Sequence, residues 1–152
     1  MRKSLATACL LLLAVAAANP LTAQRQQYTL TGLNGGSLGA SDLNQGAVIA
    51  VVFASWSPRG KDVVNQVNSI VDNYGRQARV IMVNFQEDKS EVDSFLAGQK
   101  PKAKVYLDQD GTFSKQYSVT HLPGLLILKD GSTAFSGRLT RDSQNVISQT
   151  LG

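Results

Sequence analysis

The sequence predicts an α/β protein with a mixed central sheet flanked by helices on both faces. Three observations carry this. Val48–Phe53 and Arg79–Phe85 are continuous apolar, β-branched runs of the kind that form strands buried on both faces. Between them, Lys61–Tyr74 places Val63, Val64, Val67, Ile70, Val71 and Tyr74 at i, i+1, i+4, i+7, i+8 and i+11, which is one face of a helix. A third run, Leu125–Lys129, leads through the turn-forming Asp130-Gly131 into a partner strand at Thr133–Ser136. A strand–helix–strand unit requires a parallel pair joined by a crossover, and the late hairpin adds antiparallel neighbours. Val48–Phe53, Arg79–Phe85 and Leu125–Lys129 are therefore expected side by side at the centre of one sheet.

The first 23 residues read as a processing signal. Arg2 and Lys3 form a basic start, Leu5–Ala18 is apolar, and Ala23 suits a cleavage position with Leu21 two residues before it. Cleavage after Ala18 is an alternative. The apolar run is short for a membrane span, so the membrane enters only through this segment. Residues 24–152 then form one domain, long enough to bury a core of its own. Removing Arg2 and Lys3 leaves 13 Lys and Arg against 11 Asp and Glu, a net charge of +2. No basic run interleaved with aromatics points to nucleic acid. Cys9 is the only cysteine and lies in the signal, with the apolar stretch after it, where a lipid-acylated cysteine needs that stretch before it. Residues 24–152 thus contain no thiol, and no disulfide can form in the oxidising compartment the signal implies.

The remaining elements follow in order. Gln24–Gln27 is polar and expected to fray. Tyr28-Thr29-Leu30 and Gly36-Ser37-Leu38 flank the turn-prone Asn34-Gly35 and predict an N-terminal β-hairpin extension. Ser90–Ala97 predicts a short helix with Val92, Phe95 and Leu96 on one face. Val105-Tyr106-Leu107 reads as a short extended piece, Asp108-Gln109-Asp110-Gly111 as a turn, and Thr112–Tyr117 as one or two helical turns. Thr140 is a candidate cap for a last helix running to Leu151. Lys100, Lys102 and Lys104 read as a solvated face.

The chain is organised around Val48–Lys61, a buried strand that runs into a tight turn, Ser55-Trp56-Ser57-Pro58-Arg59-Gly60, and then into a helix. Downstream stand Val83-Asn84 at a strand end, the Asp108–Gly111 turn, Leu122-Pro123 before a strand, Asp130-Gly131, and Gly137. In this order the set resembles the thioredoxin superfamily, in its exported TlpA-like branch, over nearly all of residues 24–152. That branch carries a strand reading roughly FWA-x-WC-x-x-C-[KR] before a long helix. The resemblance implies a thioredoxin-like fold, a cis peptide bond before Pro123, and a substrate groove beside Trp56.

The resemblance breaks at the chemistry. Ser57 and Gly60 occupy the two cysteine positions. Thiol–disulfide exchange needs a thiolate to attack and a second sulfur to resolve the mixed disulfide. A serine hydroxyl is a far weaker nucleophile at neutral pH and forms no disulfide. The resemblance also implies a buried carboxylate two residues before Phe53 and a lysine facing it from the next strand. Val51 and Met82 stand there.

Each remaining candidate has a structural reading beside the functional one. Ser57 suits a helix N-cap and Pro58 the first helical position, where the helix dipole would stabilise an anion. A hydrolytic Ser57–His121 pair would further need an oriented histidine and an oxyanion hole. His121 is the only histidine and, with no second histidine or clustered carboxylates, anchors no metal. The Asp108–Gly111 turn lacks the further oxygen ligands of a calcium loop. Trp56 either covers the end of the core or lines a binding groove.

Three functions are compatible with these residues. The first is a non-catalytic module of the cell envelope, periplasmic or secreted. It binds a protein or an extended peptide through Trp56, Ser57, Pro58, Leu122 and Pro123, without cofactor or metal. The second is an enzyme, either a hydrolase at Ser57 or a thiol–disulfide oxidoreductase-related protein acting through a cysteine-bearing partner. The third is a structural subunit of an envelope complex.

Overall fold

A computed structural model of the protein describes residues 27–152. The expected signal segment with its Cys9, and Gln24 to Gln26 beyond it, lie outside the described residues. The chain runs β1 (Thr29–Gly32), β2 (Ser37–Gly39), a 3-10 turn (Ala40–Leu43), β3 (Ala47–Phe53), α1 (Val63–Tyr74) and β4 (Ala78–Phe85). It continues α2 (Lys89–Leu96), β5 (Lys104–Asp108), α3 (Thr112–Gln116), β6 (Gly124–Lys129), β7 (Ser132–Arg138) and α4 (Ser143–Leu151). One seven-stranded sheet has the order β2-β1-β5-β4-β3-β6-β7. β3 pairs parallel with β4 and antiparallel with β6, so the three apolar runs are neighbours at its centre, as the sequence predicts.

Alternation along β3 divides the core in two. Ile49, Val51 and Phe53 face α1, α2 and α4, together with Val63, Val67, Ile70, Val92 and Ile147. Val48, Ala50 and Val52 face the other side, with Leu30, Leu43, Phe113 and Tyr117. Burying each large apolar side chain in these layers contributes about 1.5–3 kcal/mol. On the second face Tyr28, Phe113 and Tyr117 pack edge to face, with Tyr28–Phe113 and Phe113–Tyr117 centroids 5.2 and 4.9 Å apart. The hydroxyls of Tyr28 and Tyr117 are 2.9 Å apart, which ties the N-terminal strand to α3.

One expectation is extended and two are corrected. Residues 104–108 form a full strand between β4 and β1, because the N-terminal hairpin supplies its outer partner. The last helix starts at Ser143 with Asp142 as its N-cap residue, and Thr140 lies outside it, its N–H donating to Ser143 Oγ at 2.8 Å. The long helix starts at Val63, so Ser57 is not its cap and Pro58 is not its first residue. Asp62 holds that position, its carbonyl accepting from Gln66 N at 3.1 Å.

Two carboxylates fix local turns on the way to the site. Asp108 is buried and accepts from Phe113 N, Ser114 N and Ser114 Oγ, which seats α3 on the end of β5. Asp88 and Glu91 form a reciprocal capping box at the start of α2. The Glu91 N–H, then the Ser90 hydroxyl, hold the Asp88 carboxyl below its ordinary range. A depressed folded-state value contributes stability above the ordinary aspartate range, lost as pH falls through the folded value.

Candidate functional site

β3 ends at Phe53, opposite Asn84 and one residue before the end of β4. The residues just past both ends therefore share one edge of the sheet. There Glu87, only 6% exposed, accepts from Ser55 N at 2.9 Å, from Asn84 Nδ2 at 2.6 Å and from the Ser55 hydroxyl. This buried carboxylate fastens the turn that leaves β3 onto the loop that leaves β4. A buried carboxylate survives when N–H and O–H donors surround it. The sequence reading missed Glu87. The signal was the parallel pairing, which brings residues just beyond two neighbouring strand ends within reach.

From Ala54 to Asp62 the chain makes successive turns. Ser57 N donates to Ala54 O at 3.2 Å, Gly60 N to Ser57 O at 3.0 Å, and Val63 N to Gly60 O at 3.1 Å. Ser57 is buried, and its hydroxyl donates to the Leu122 carbonyl at 2.9 Å. The bond between Leu122 and Pro123 is cis, as the resemblance implies. Gly124 follows because nothing larger fits: a Cβ there would lie 2.7 Å from the His121 carbonyl oxygen. Pro123 O accepts from Leu139 N at 3.0 Å, which fastens the cis-prolyl segment to the chain just past β7.

Trp56 is 64% exposed, the only large hydrophobic side chain that is exposed among the described residues. It does not cover the core. With Ser57, Pro58 and Leu122 it lines a cleft of about 350 Å³, whose other lining residues are Arg59, Thr120 and Arg138. Pro123 is buried beneath. A larger cleft of about 480 Å³ lies elsewhere, between the β1–β2 turn and the 97–104 loop, and includes none of these residues.

Ser57 and His121 are not joined by a hydrogen bond. The serine hydroxyl is engaged by Leu122, and His121 Nδ1 lies 3.1 Å from Thr120 Oγ1. Ser57 therefore lacks the base that would activate it. Beneath the turn, Val51 and Met82 are register partners and fully buried, with no proton acceptor between them. Among the described residues no three His, Asp or Glu side chains gather as metal ligands.

The fold and this site define a thioredoxin-type α/β protein, with a cis-proline facing the turn that leaves the central strand. The chain belongs to the thioredoxin-like family, whose model matches residues 46–133. No curated protein matches the sequence. Similar solved structures include a secreted Mycobacterium tuberculosis disulfide oxidoreductase, 17% identical, with a TM-score of 0.68, over 84% of this chain and 96% of that one. The exposed lipoprotein thioredoxin Etrx1 of Streptococcus pneumoniae is 18% identical, with a TM-score of 0.70, over 82% and 97%. The thioredoxin domain of a Bacteroides vulgatus thiol-disulfide oxidoreductase is 11% identical, with a TM-score of 0.70, over 84% and 95%.

Proposed function

We propose that this is an exported thioredoxin-like protein that performs no dithiol chemistry and binds an extended segment of a partner protein in the cleft beside Trp56. The observation that carries the reading is the exposed indole next to the cis-prolyl segment, in a turn where Ser57 and Gly60 replace both sulfurs. An exposed tryptophan on a turn held by backbone bonds is a low-entropy anchor for an apolar side chain. Residues 24–152 supply no sulfur able to enter a mixed disulfide, since Met82 is a thioether and buried. The basic and apolar start of the chain supports an envelope or secreted location.

The test is a photo-crosslinking residue placed at Leu122 in the exported protein, with the same residue at Lys129, the far end of β6, as control. One defined adduct from position 122, absent from 129 and lost with Trp56→Ala, is expected. Identical adduct patterns from the two positions would overturn the reading. In an insulin-reduction assay the purified protein should show no turnover above a no-protein control.

A further inference from the structure

We infer that the segment held in this cleft is acidic, an apolar side chain flanked by Asp or Glu; the inference rests on the peptide-binding reading above. Two cations line the cleft and no carboxylate does: Arg59 on the turn and Arg138 at the end of β7. Their placement is built into the backbone. Arg59 lies inside the turn closed by Gly60 N and Ser57 O, which the Ser57 hydroxyl ties to Leu122. Arg138 stands across the ladder from Gly124, and the next residue, Leu139, donates to Pro123 O. Both arginines are thus fastened to the same cis-prolyl segment from opposite sides.

Neither guanidinium has an ion-pair partner among the described residues, where the pairs are Lys89–Asp93 and Lys102–Asp72. Two unneutralised like charges at one concave site raise the local concentration of anions. A guanidinium fork matches a carboxylate in two parallel hydrogen bonds. The contrast with the larger cleft is informative. There Asp93 lines the wall beside Lys102 and Lys104, and Lys102 is already paired with Asp72. In the cleft the indole is placed for an apolar residue and the arginines for its acidic neighbours.

Trp56 is the only tryptophan in the chain, so its fluorescence reports on the cleft directly. The probes are three capped peptides: Glu-Asp-Leu-Asp-Glu, its amide counterpart Gln-Asn-Leu-Asn-Gln, and Lys-Lys-Leu-Lys-Lys. At low ionic strength the acidic peptide should bind about tenfold more tightly than the amide peptide, and the gap should shrink at about 0.5 M salt. The double variant Arg59→Gln with Arg138→Gln should lose that preference and leave the amide peptide's affinity unchanged. Lys104→Gln with Lys129→Gln removes the same charge outside the cleft and should keep the preference. Equal binding of acidic and amide peptides would overturn the acidic assignment while leaving the cleft a peptide site. Equal losses in the arginine and lysine variants would likewise overturn it, by assigning the preference to net charge. If no peptide perturbs Trp56 fluorescence or gives a calorimetric signal, the peptide-binding reading fails with it.

Discussion

The site has a floor and a rim, and they are held by different forces. The floor is Val51 opposite Met82, both fully buried in the layer under α1. Their side chains are held there by packing, on a backbone held by the strand ladder. The rim is Trp56, Ser57 and the cis-prolyl segment, held by hydrogen bonds between backbone groups and by the Ser57–Leu122 tie. The indole at its edge is mostly in water. The difference teaches that the shape of the cleft and the chemistry of the groups at its floor are separable. A turn closed by Ala54 O, Ser57 O and Gly60 O, and fastened by Glu87 through Ser55, takes its form without a titratable group at Val51 or Met82. A dithiol needs both layers, whereas a binding cleft needs only the rim.

The largest expected effect comes from breaking the floor. Val51→Asp buries a carboxylate between the apolar register partners Met82 and Leu125, and should destabilise the protein by about 3–5 kcal/mol. Denaturant unfolding measures it. A loss below about 1 kcal/mol would mean that water or a cation reaches the floor, and the separation from the rim would collapse. Next comes the junction of the two layers. Glu87→Ala leaves Ser55 N and Asn84 Nδ2 without their acceptor, and should cost about 2–3 kcal/mol. The same variant should broaden the Trp56 emission, because the residue before the indole loses its anchor.

How much of this was legible in the sequence depended on the range of the interaction involved. β3, β4 and β6 announce themselves by composition, because strands buried on both faces admit almost nothing polar. The α1 stripe is equally local. The start of α1 was misread because Ser57-Pro58 satisfies the local preferences of a helix start, while the Ser57 hydroxyl is claimed by Leu122, 65 residues away. β5 looked like a fragment because its strand character depends on β1, contributed from the other end of the chain. At the site, the positions of Trp56, Ser57, Leu122 and Pro123 followed from ordered motifs. Glu87 and Arg138 follow no local pattern. Glu87 reaches Ser55 through the pairing of Phe53 with Asn84, and Arg138 reaches the cleft through its pairing with Gly124, which only the assembled sheet defines.

A smaller effect sharpens the comparison from the rim. A Cβ built on Gly60 lies 3.7 Å from Ser57 Cβ, within the span a disulfide bridges. Ser57→Cys with Gly60→Cys should therefore close a disulfide in air, seen as loss of free thiol and a reductant-sensitive Tm. The net stabilisation should be about 1 kcal/mol, since the short loop gains little and the Ser57–Leu122 hydrogen bond is lost. Insulin turnover by this variant should stay weak. Val51 offers no proton acceptor, and the nearest helix begins only at Val63, so no helix N-terminus stabilises the new thiolate. Turnover matching an ordinary dithiol thioredoxin would show that the rim alone suffices.

The smallest expected stability change is also the most telling. In Trp56→Ala the side chain removed is already 64% exposed and stacks on no other ring among the described residues. The backbone around it is held by Ser57 N on Ala54 O and by Ser55 N on Glu87, neither of which involves the indole. Truncation at such a position shifts stability by no more than about 0.5 kcal/mol. Binding of the acidic Leu-containing peptide, followed by calorimetry since the fluorophore is gone, should fall by about tenfold or more, because a central aromatic anchor carries a disproportionate share of an interface. The two measurements together locate the indole's role. A fall in Tm of more than about 3 °C would mean that Trp56 shields the core in solution. Unchanged stability with unchanged peptide affinity would remove the indole from recognition and leave the arginines as the only hold. A stable protein that no longer binds assigns Trp56 to the partner and not to the fold.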